Sequence, residues 1–280
     1  MSALEGSNPG ELAPGELRTG ELRTGELRTG ELRTGELRTG ELRTGELRPG
    51  ELRVVCSGAF RAAYQVLVTG FARATGHRVV TAWGSSAAGA PTSIPARLAA
   101  GECLDLVIMA GEGLDRLIAQ GLITAAGRAD LARSGIGVAI RTGAPRPDLS
   151  STAALMRALK QAKSLAHSSS ASGIYLKGLF QRLGHTEALG NRIKQIEGEP
   201  VGAVVARGEA EIGFQQVSEL LPVPGVDFVG PLPAEIQHTT VFAAGIQAGA
   251  VEERTARALI AYLAAPSAAA IIRGSGMEPA

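Results

Sequence analysis

From residue 51 onward the sequence predicts an α/β fold of two lobes joined by two crossing strands. Three observations predict it. Short apolar runs of strand length alternate with stretches that are apolar at helical spacing, the pattern of a parallel sheet covered on both faces. The alternation breaks at the Pro- and Gly-bearing stretch Thr142–Ser150 and then restarts. A β-rich segment, Thr239–Ile246, returns late and is followed by two helical stretches.

The elements follow in order. Leu52–Cys56 is a short buried strand, and Ser57-Gly58 separates it from a helix over about Ala59–Thr75, with Phe60, Ala63, Tyr64, Leu67 and Phe71 at helical spacing. Gly76 suits the left-handed cap of that helix. Arg78–Trp83 is the next strand, ended by Gly84-Ser85-Ser86-Ala87. A helix around Ser93–Ala100 leads to the strand Leu104–Met109, and the helix Glu112–Gln120 follows. Ser134–Ile140 is an apolar run. Beyond the break come the helix Thr152–Gln161, the strand Ser164–His167, a Ser/Gly loop at 168–173, the helix Ile174–Leu183 and a strand near Ile193. Pro200 sits at the first position of a helix running to Arg207. Strands at Glu211–Gln215 and Val226–Val229 precede the β-rich segment, and helices at Glu252–Leu263 and Ser267–Arg273 end the chain. With Ile136–Ile140 crossing outward and Thr240–Ala244 crossing back, lobe one is expected over about 51–136 with 245–280, and lobe two over about 137–239. Two crossings make a hinge, and ligands of such proteins bind in the cleft between the lobes.

The first fifty residues differ. Glu16–Gly45 is six tandem copies of Glu-Leu-Arg-Thr-Gly, flanked by imperfect copies at 11–15 and 46–50. A five-residue period fits neither helix nor strand, and one Leu per unit builds no core, so a disordered low-complexity tail is expected over 1–50. The remaining ~230 residues suffice for two lobes. The balance of 28 basic and 27 acidic residues, with no basic stripe, excludes a nucleic-acid surface. No apolar run reaches the ~18 residues of a membrane span, and no basic start followed by an apolar stretch marks a signal peptide. Cys56 and Cys103 lie in apolar contexts, which predicts two buried free thiols rather than a disulfide. The four histidines stand far apart with no cysteine nearby, so neither a metal site nor a cofactor is expected. Dinucleotide, P-loop and GxSxG signatures are absent from the sequence.

In a parallel sheet the binding crevice lies at the carboxyl ends of the strands, where helix N-termini point. Four such junctions carry small polar residues: Ser57-Gly58, Gly84-Ser85-Ser86, Ser168–Gly173 and Gly198–Gly202. Helix N-termini and hydroxyls hold anions without a lysine or arginine, and glycine lets the backbone come close. Each junction also has a plain reading, since Ser is a preferred helix cap anywhere. His167, at a strand end, is either a proton carrier in the cleft or a cap for that strand. Tyr175 and Glu199 are candidates to line the cleft, and Gln215 and Gln216 end a strand with two amides that donate and accept.

The segments LRVVCSGAF, GSSAAG, PARLAAGECLDLVIMAG, SSSASGIYLKGLFQRLG and VGAVVARGEAEIGFQQVSEL resemble the molybdate-binding, type II periplasmic solute-binding proteins over nearly all of 51–280. The resemblance implies the two-lobed type II periplasmic-binding-protein fold and a small anion, an oxyanion or a carboxylate, held by uncharged groups. Ser57 and Ser85 match the family's serines after the first and second strands, with Gly58 and Ser86 beside them. Ser170, Ala171 and Ser172 match its amide loop, and Val201 and Gly202 another amide contributor. Gln216 stands where the family carries a tyrosine. The resemblance further implies a monomeric, periplasmic protein that delivers its ligand to an ABC permease. The segments GFQQVSELLPV and SASGIYL look closer still to the branch that includes aconitate isomerase, which interconverts trans- and cis-aconitate by an allylic proton shift. For that reaction a general base is needed, with His167, Tyr175 and Glu199 as candidates.

Overall fold

The computed structural model describes residues 50–280 apart from Ala88. The tail expected over 1–50 lies outside the described residues, save Gly50, whose amide donates to Glu252 Oε1 at 3.0 Å.

Strand β1 (Glu51–Cys56) alternates its side chains between two helix-covered faces, and a 3-10 turn leads from it into α1 (Arg61–Thr75). Gly76 ends α1 at φ 75°, as its place in the sequence predicts. Then come β2 (Arg78–Trp83), α2 (Ile94–Ala99), β3 (Leu106–Ala110) and α3 (Gly111–Ala119). Ser93 caps α2 by accepting from the Ala96 amide. Strand β4 (Ala129–Arg141) is longer than the apolar run predicted, because its first five residues interleave Asp130 and Arg133 with apolar ones. Beyond it lie α4 (Thr152–Gln161), β5 (Leu165–Ser168), α5 (Ala171–Arg182), α6 (Thr186–Leu189), β6 (Ile193–Ile196) and α7 (Val201–Ala206). The Ser/Gly stretch is therefore the last residue of β5, a two-residue loop and the first turn of α5, and Pro200 caps α7 from outside rather than opening it. The chain continues through β7 (Ile212–Gln216), α8 (Val217–Leu220), β8 (Val226–Pro231) and β9 (Thr239–Ile246). It finishes with α9 (Glu253–Leu263), α10 (Ala269–Gly274) and the short β10 (Glu278–Pro279).

The strands run in the order β2-β1-β3-β9-β4-β7-β5-β6, with β8 and β10 also pairing β4. One half is parallel through β2, β1 and β3, and the other through β7, β5 and β6. Antiparallel β9 and β4 join the halves, and β4 belongs to both. Its residues 129–135 pair with β9, and its residues 136–141 pair with β7 and β8. This is the two-lobed α/β arrangement with two crossing strands. At the switch, Gln237 acts as a strand partner: its side chain accepts from Ile136 N at 2.9 Å and donates to Ile136 O at 3.0 Å.

Strand alternation divides each core in two. Leu52, Val54 and Cys56 face Phe60, Tyr64 and Phe71 of the α1 side together with α9 and α10, while Val55 faces Ile94, Leu98 and Leu114. In the other half, Ile136, Val138 and Phe214 pack under α4 and α5, and Ala166 packs under α7. Both cysteines are free thiols. Cys56 is buried as predicted, and burial pushes its thiol well above the usual range. Cys103 is exposed, a correction to the burial expected from its apolar context, because the turn between α2 and β3 that carries it lies at the surface. Among the described residues no single helix is long and apolar enough to cross a membrane, and no metal-ligating cluster occurs.

Candidate functional site

The tips of the parallel strands from both halves of the sheet face a cleft of about 510 Å³. From one side Ser57, Gly58, Arg61 and Ser85 line it, and from the other Ser170, Ala171, Gln215 and Glu219. Ser86, Gln216 and Ser218 lie on its floor and wall, and Glu197 and Glu199 also line it.

The turn after β1 is built so that a hydroxyl is left over. The Ser57 amide donates to Ile108 O at 2.8 Å, so it serves the sheet. Its hydroxyl is buried, 3% exposed, and has no partner among the described residues; Ser218 Oγ, 2% exposed, is in the same condition. A buried hydroxyl left unpaired is costly, and such groups mark sites where a ligand completes the bonding. Ser85 Oγ accepts from the Ala87 amide at 3.2 Å, leaving its proton available. Ser86 Oγ likewise accepts from the Ala110 amide at 3.1 Å, which ties its turn to the end of β3.

The second half contributes a helix N-terminus. At the head of α5 the first helical bond is Ile174 N to Ser170 O, so the amides of Ala171, Ser172 and Gly173 precede the hydrogen-bonded ladder. Ser168, Ser170 and Ser172 form a chain of hydroxyls at 2.7 and 3.1 Å. This junction requires Gly173, because a Cβ there would fall 1.6 Å from Ser168 O and 2.7 Å from His167 Nδ1. Strand end and helix start are pressed together across a hydrogen atom's width.

Ser172 is fully buried, beneath the cleft surface. Val201 donates its amide to Gln215 Oε1 at 2.9 Å, and Gly202 packs against Val223. Gln216 turns its side chain away from the cleft onto the crossing strands. With its amide oriented to satisfy both ends, it donates to Ser134 O at 3.0 Å and Gly135 O at 3.1 Å and accepts from Thr240 Oγ1 at 3.0 Å. His167 lies behind the loop with Nδ1 2.8 Å from Ser168 O, and burial holds its pKa below the ordinary histidine value. Tyr175 donates to Ile236 O at 2.9 Å, stacks on His238 and lines a separate cavity of about 490 Å³. Glu199 is exposed and ion-paired with Arg207 at 2.8 and 3.0 Å, and that guanidinium holds its carboxyl below the usual range.

Sequence reasoning did not single out Arg61, Ser218 and Glu219. Arg61 lies in the first turn of α1 with Cζ 4.1 Å from the Trp83 ring centroid, a cation–π contact that holds the guanidinium at the cleft wall. Glu219 follows the tip of β7 by three residues and crosses to the first turn: a Cβ on Gly58 would meet its Oε1 at 2.6 Å. Part of its surface stays open, yet dense packing around the carboxyl pushes its pKa up to about 7. The Gln215 side chain, the Arg61 charge and the Gln216 backbone oppose that rise. The rule that picked Ser57, residues just past a strand tip, would also have found Glu219.

Strand tips and a helix N-terminus converging on a hydroxyl-lined cleft between two α/β halves define a solute-binding protein with the type II periplasmic fold. Residues 52–278 match the family described as bacterial extracellular solute-binding protein, and the chain belongs to that family. An aconitate isomerase from a Pseudomonas species is 42% identical over 227 residues, covering 81% of this chain and 87% of that protein. The periplasmic molybdate-binding protein of Azotobacter vinelandii superposes at TM-score 0.63 and 24% identity, over 81% of this chain and 98% of that one. The sulfate-binding protein SubI of Mycobacterium tuberculosis does so at TM-score 0.65 and 16% identity, over 82% and 86%. At those identities the two structures speak for the fold alone.

Proposed function

We propose that the cleft binds a small polycarboxylate and interconverts trans- and cis-aconitate. The observation that carries this reading is the pairing of one guanidinium, Arg61, with the orphaned buried hydroxyls of Ser57 and Ser218 in one cavity. A compact oxyanion is satisfied by neutral donors around a point. A ligand with carboxylates spread over several carbons needs a cation at one end and neutral donors at the other, with which Arg61 and the serines agree. The name of the 42%-identical Pseudomonas relative supports the same chemistry.

The test is direct. Purified chain mixed with trans-aconitate should change its ultraviolet absorbance catalytically, and a thermal-shift panel should favour the aconitates and citrate over molybdate, tungstate and sulfate. A chain stabilised by molybdate alone, with aconitate unchanged, would end the proposal. A second reading, delivery of the bound anion to an ABC-type permease, is favoured by the family's description. It expects tight binding of one anion without turnover. A periplasmic location belongs to both readings and is supported by the same description.

A further inference from the structure

Isomerising aconitate requires that a proton leave a methylene carbon and return two carbons away. Among the described residues three carboxylates line the cleft. Glu197 is exposed and accepts from Gln195 Nε2 at 3.0 Å, and Glu199 is held by Arg207. Glu219 alone points inward: it reaches over Gly58 beside the Ser57 turn, and no ion pair reaches it among the described residues. Its neighbour Gln215 is fixed by the Val201 amide on its oxygen, which leaves the Gln215 NH₂ to face the Glu219 carboxyl. Resting on the isomerase reading above, we infer that Glu219 is the base that carries the proton, with Gln215 as its positioning residue.

The step balances without any co-reactant. The Glu219 carboxylate takes a proton from the substrate methylene, and the electron pair of that C–H bond spreads over the allylic carbons and the flanking carboxylates. The double bond shifts, and the same carboxylic acid returns the proton to the former vinyl carbon. Negative charge builds on substrate oxygens during the step, where Arg61 and the serine hydroxyls are available to receive it. A weak carbon acid needs a base whose pKa is near the working pH, and burial raises Glu219 to about 7. The charged group facing it is Arg61 of α1, while the Ser57-Gly58 turn and Gln215 and Gln216 of β7 are neutral.

The experiment compares wild type, E219Q, E219D and Q215L in the full chain, following trans-aconitate turnover and the binding of tricarballylate, the saturated analogue that cannot isomerise. E219Q should lose roughly 10²–10⁴-fold in kcat while still binding tricarballylate. E219D, one methylene shorter, should keep an intermediate rate and carries the test should E219Q fail to fold. Wild-type kcat/KM should rise with pH through a limb near 7. Q215L should move that limb upward, because it removes a donor that favours the carboxylate. An E219Q rate within about tenfold of wild type, an E219D rate and pH limb identical to wild type, or parallel loss of turnover and tricarballylate binding would overturn the assignment. A wild type that binds tricarballylate but never turns over aconitate would instead sink the isomerase reading beneath it, and the assignment with it.

Discussion

Ser57 and Glu219 share one stability consequence, that removing the polar group does not weaken the free chain near or above neutral pH, because each is buried for a ligand rather than for the fold. Ser57 Oγ makes no internal hydrogen bond, so Ser57→Ala should leave the melting temperature of the free chain unchanged or slightly higher. The same change should weaken polycarboxylate binding by about 1–3 kcal/mol, as an anionic oxygen loses its donor; parallel melting curves and calorimetric titrations measure both. Glu219 has its pKa raised from the usual 4.5 to about 7 in the folded chain. Between those values the folded state holds a proton that the unfolded chain has released. Stability therefore falls as pH rises from about 4.5 through about 7. E219Q cannot lose that proton, so its melting temperature should exceed wild type at pH 8 and approach it near pH 4.5, which a pH series of thermal melts reads directly.

At the scale of elements, two junctions set the geometry of the cleft. The β5–α5 junction closes so tightly that a Cβ on Gly173 would sit 1.6 Å from Ser168 O. Gly173→Ala must push the strand end and the helix apart, which should destabilise the chain by about 3 kcal/mol or more and abolish ligand binding; urea unfolding with and without ligand separates the two losses. The β7–β4–β9 junction is pinned by Gln216, whose amide serves two carbonyls of β4 and a hydroxyl of β9. Gln216→Leu should cost about 1–3 kcal/mol by leaving buried carbonyls unpaired. It should also raise hydrogen exchange at Ser134–Ile136 and Thr240. Ordinary exchange there would make the amide incidental to the crossing. Asp105 plays a comparable structural part, buried at 0% exposure and accepting from the Arg53, Val251 and Glu252 amides, which ties β3 to β1 and to the start of α9.

At the scale of the molecule, β4 and β9 are the covalent links by which two separately cored halves share one sheet. A ligand gripped from both halves stabilises the whole. At a hundredfold excess over its dissociation constant it should add about 2.7 kcal/mol, visible as a concentration-dependent rise of a single melting transition. A ligand that raised only one of two resolved transitions would show that it is held by one half.

The order of strands and helices was legible in the sequence because alternation between strand-length apolar runs and helical spacing is a local property. So were the Ser- and Gly-rich strand tips, since binding at the carboxyl ends of parallel strands follows from helix polarity alone. Polar residues hid what was missed locally: Asp130 and Arg133 masked the first half of β4, and the turn around Cys103 looked apolar but is exposed. Which tips actually meet was settled in three dimensions. Gln216 faces the crossing strands, Tyr175 faces another cavity, His167 lies behind its loop, and Glu219 arrives over Gly58 from a helix 161 positions away in the chain. A side chain's direction at a strand tip depends on what packs against it, and the neighbours that pack there come from distant parts of the chain, so only the folded arrangement could decide it.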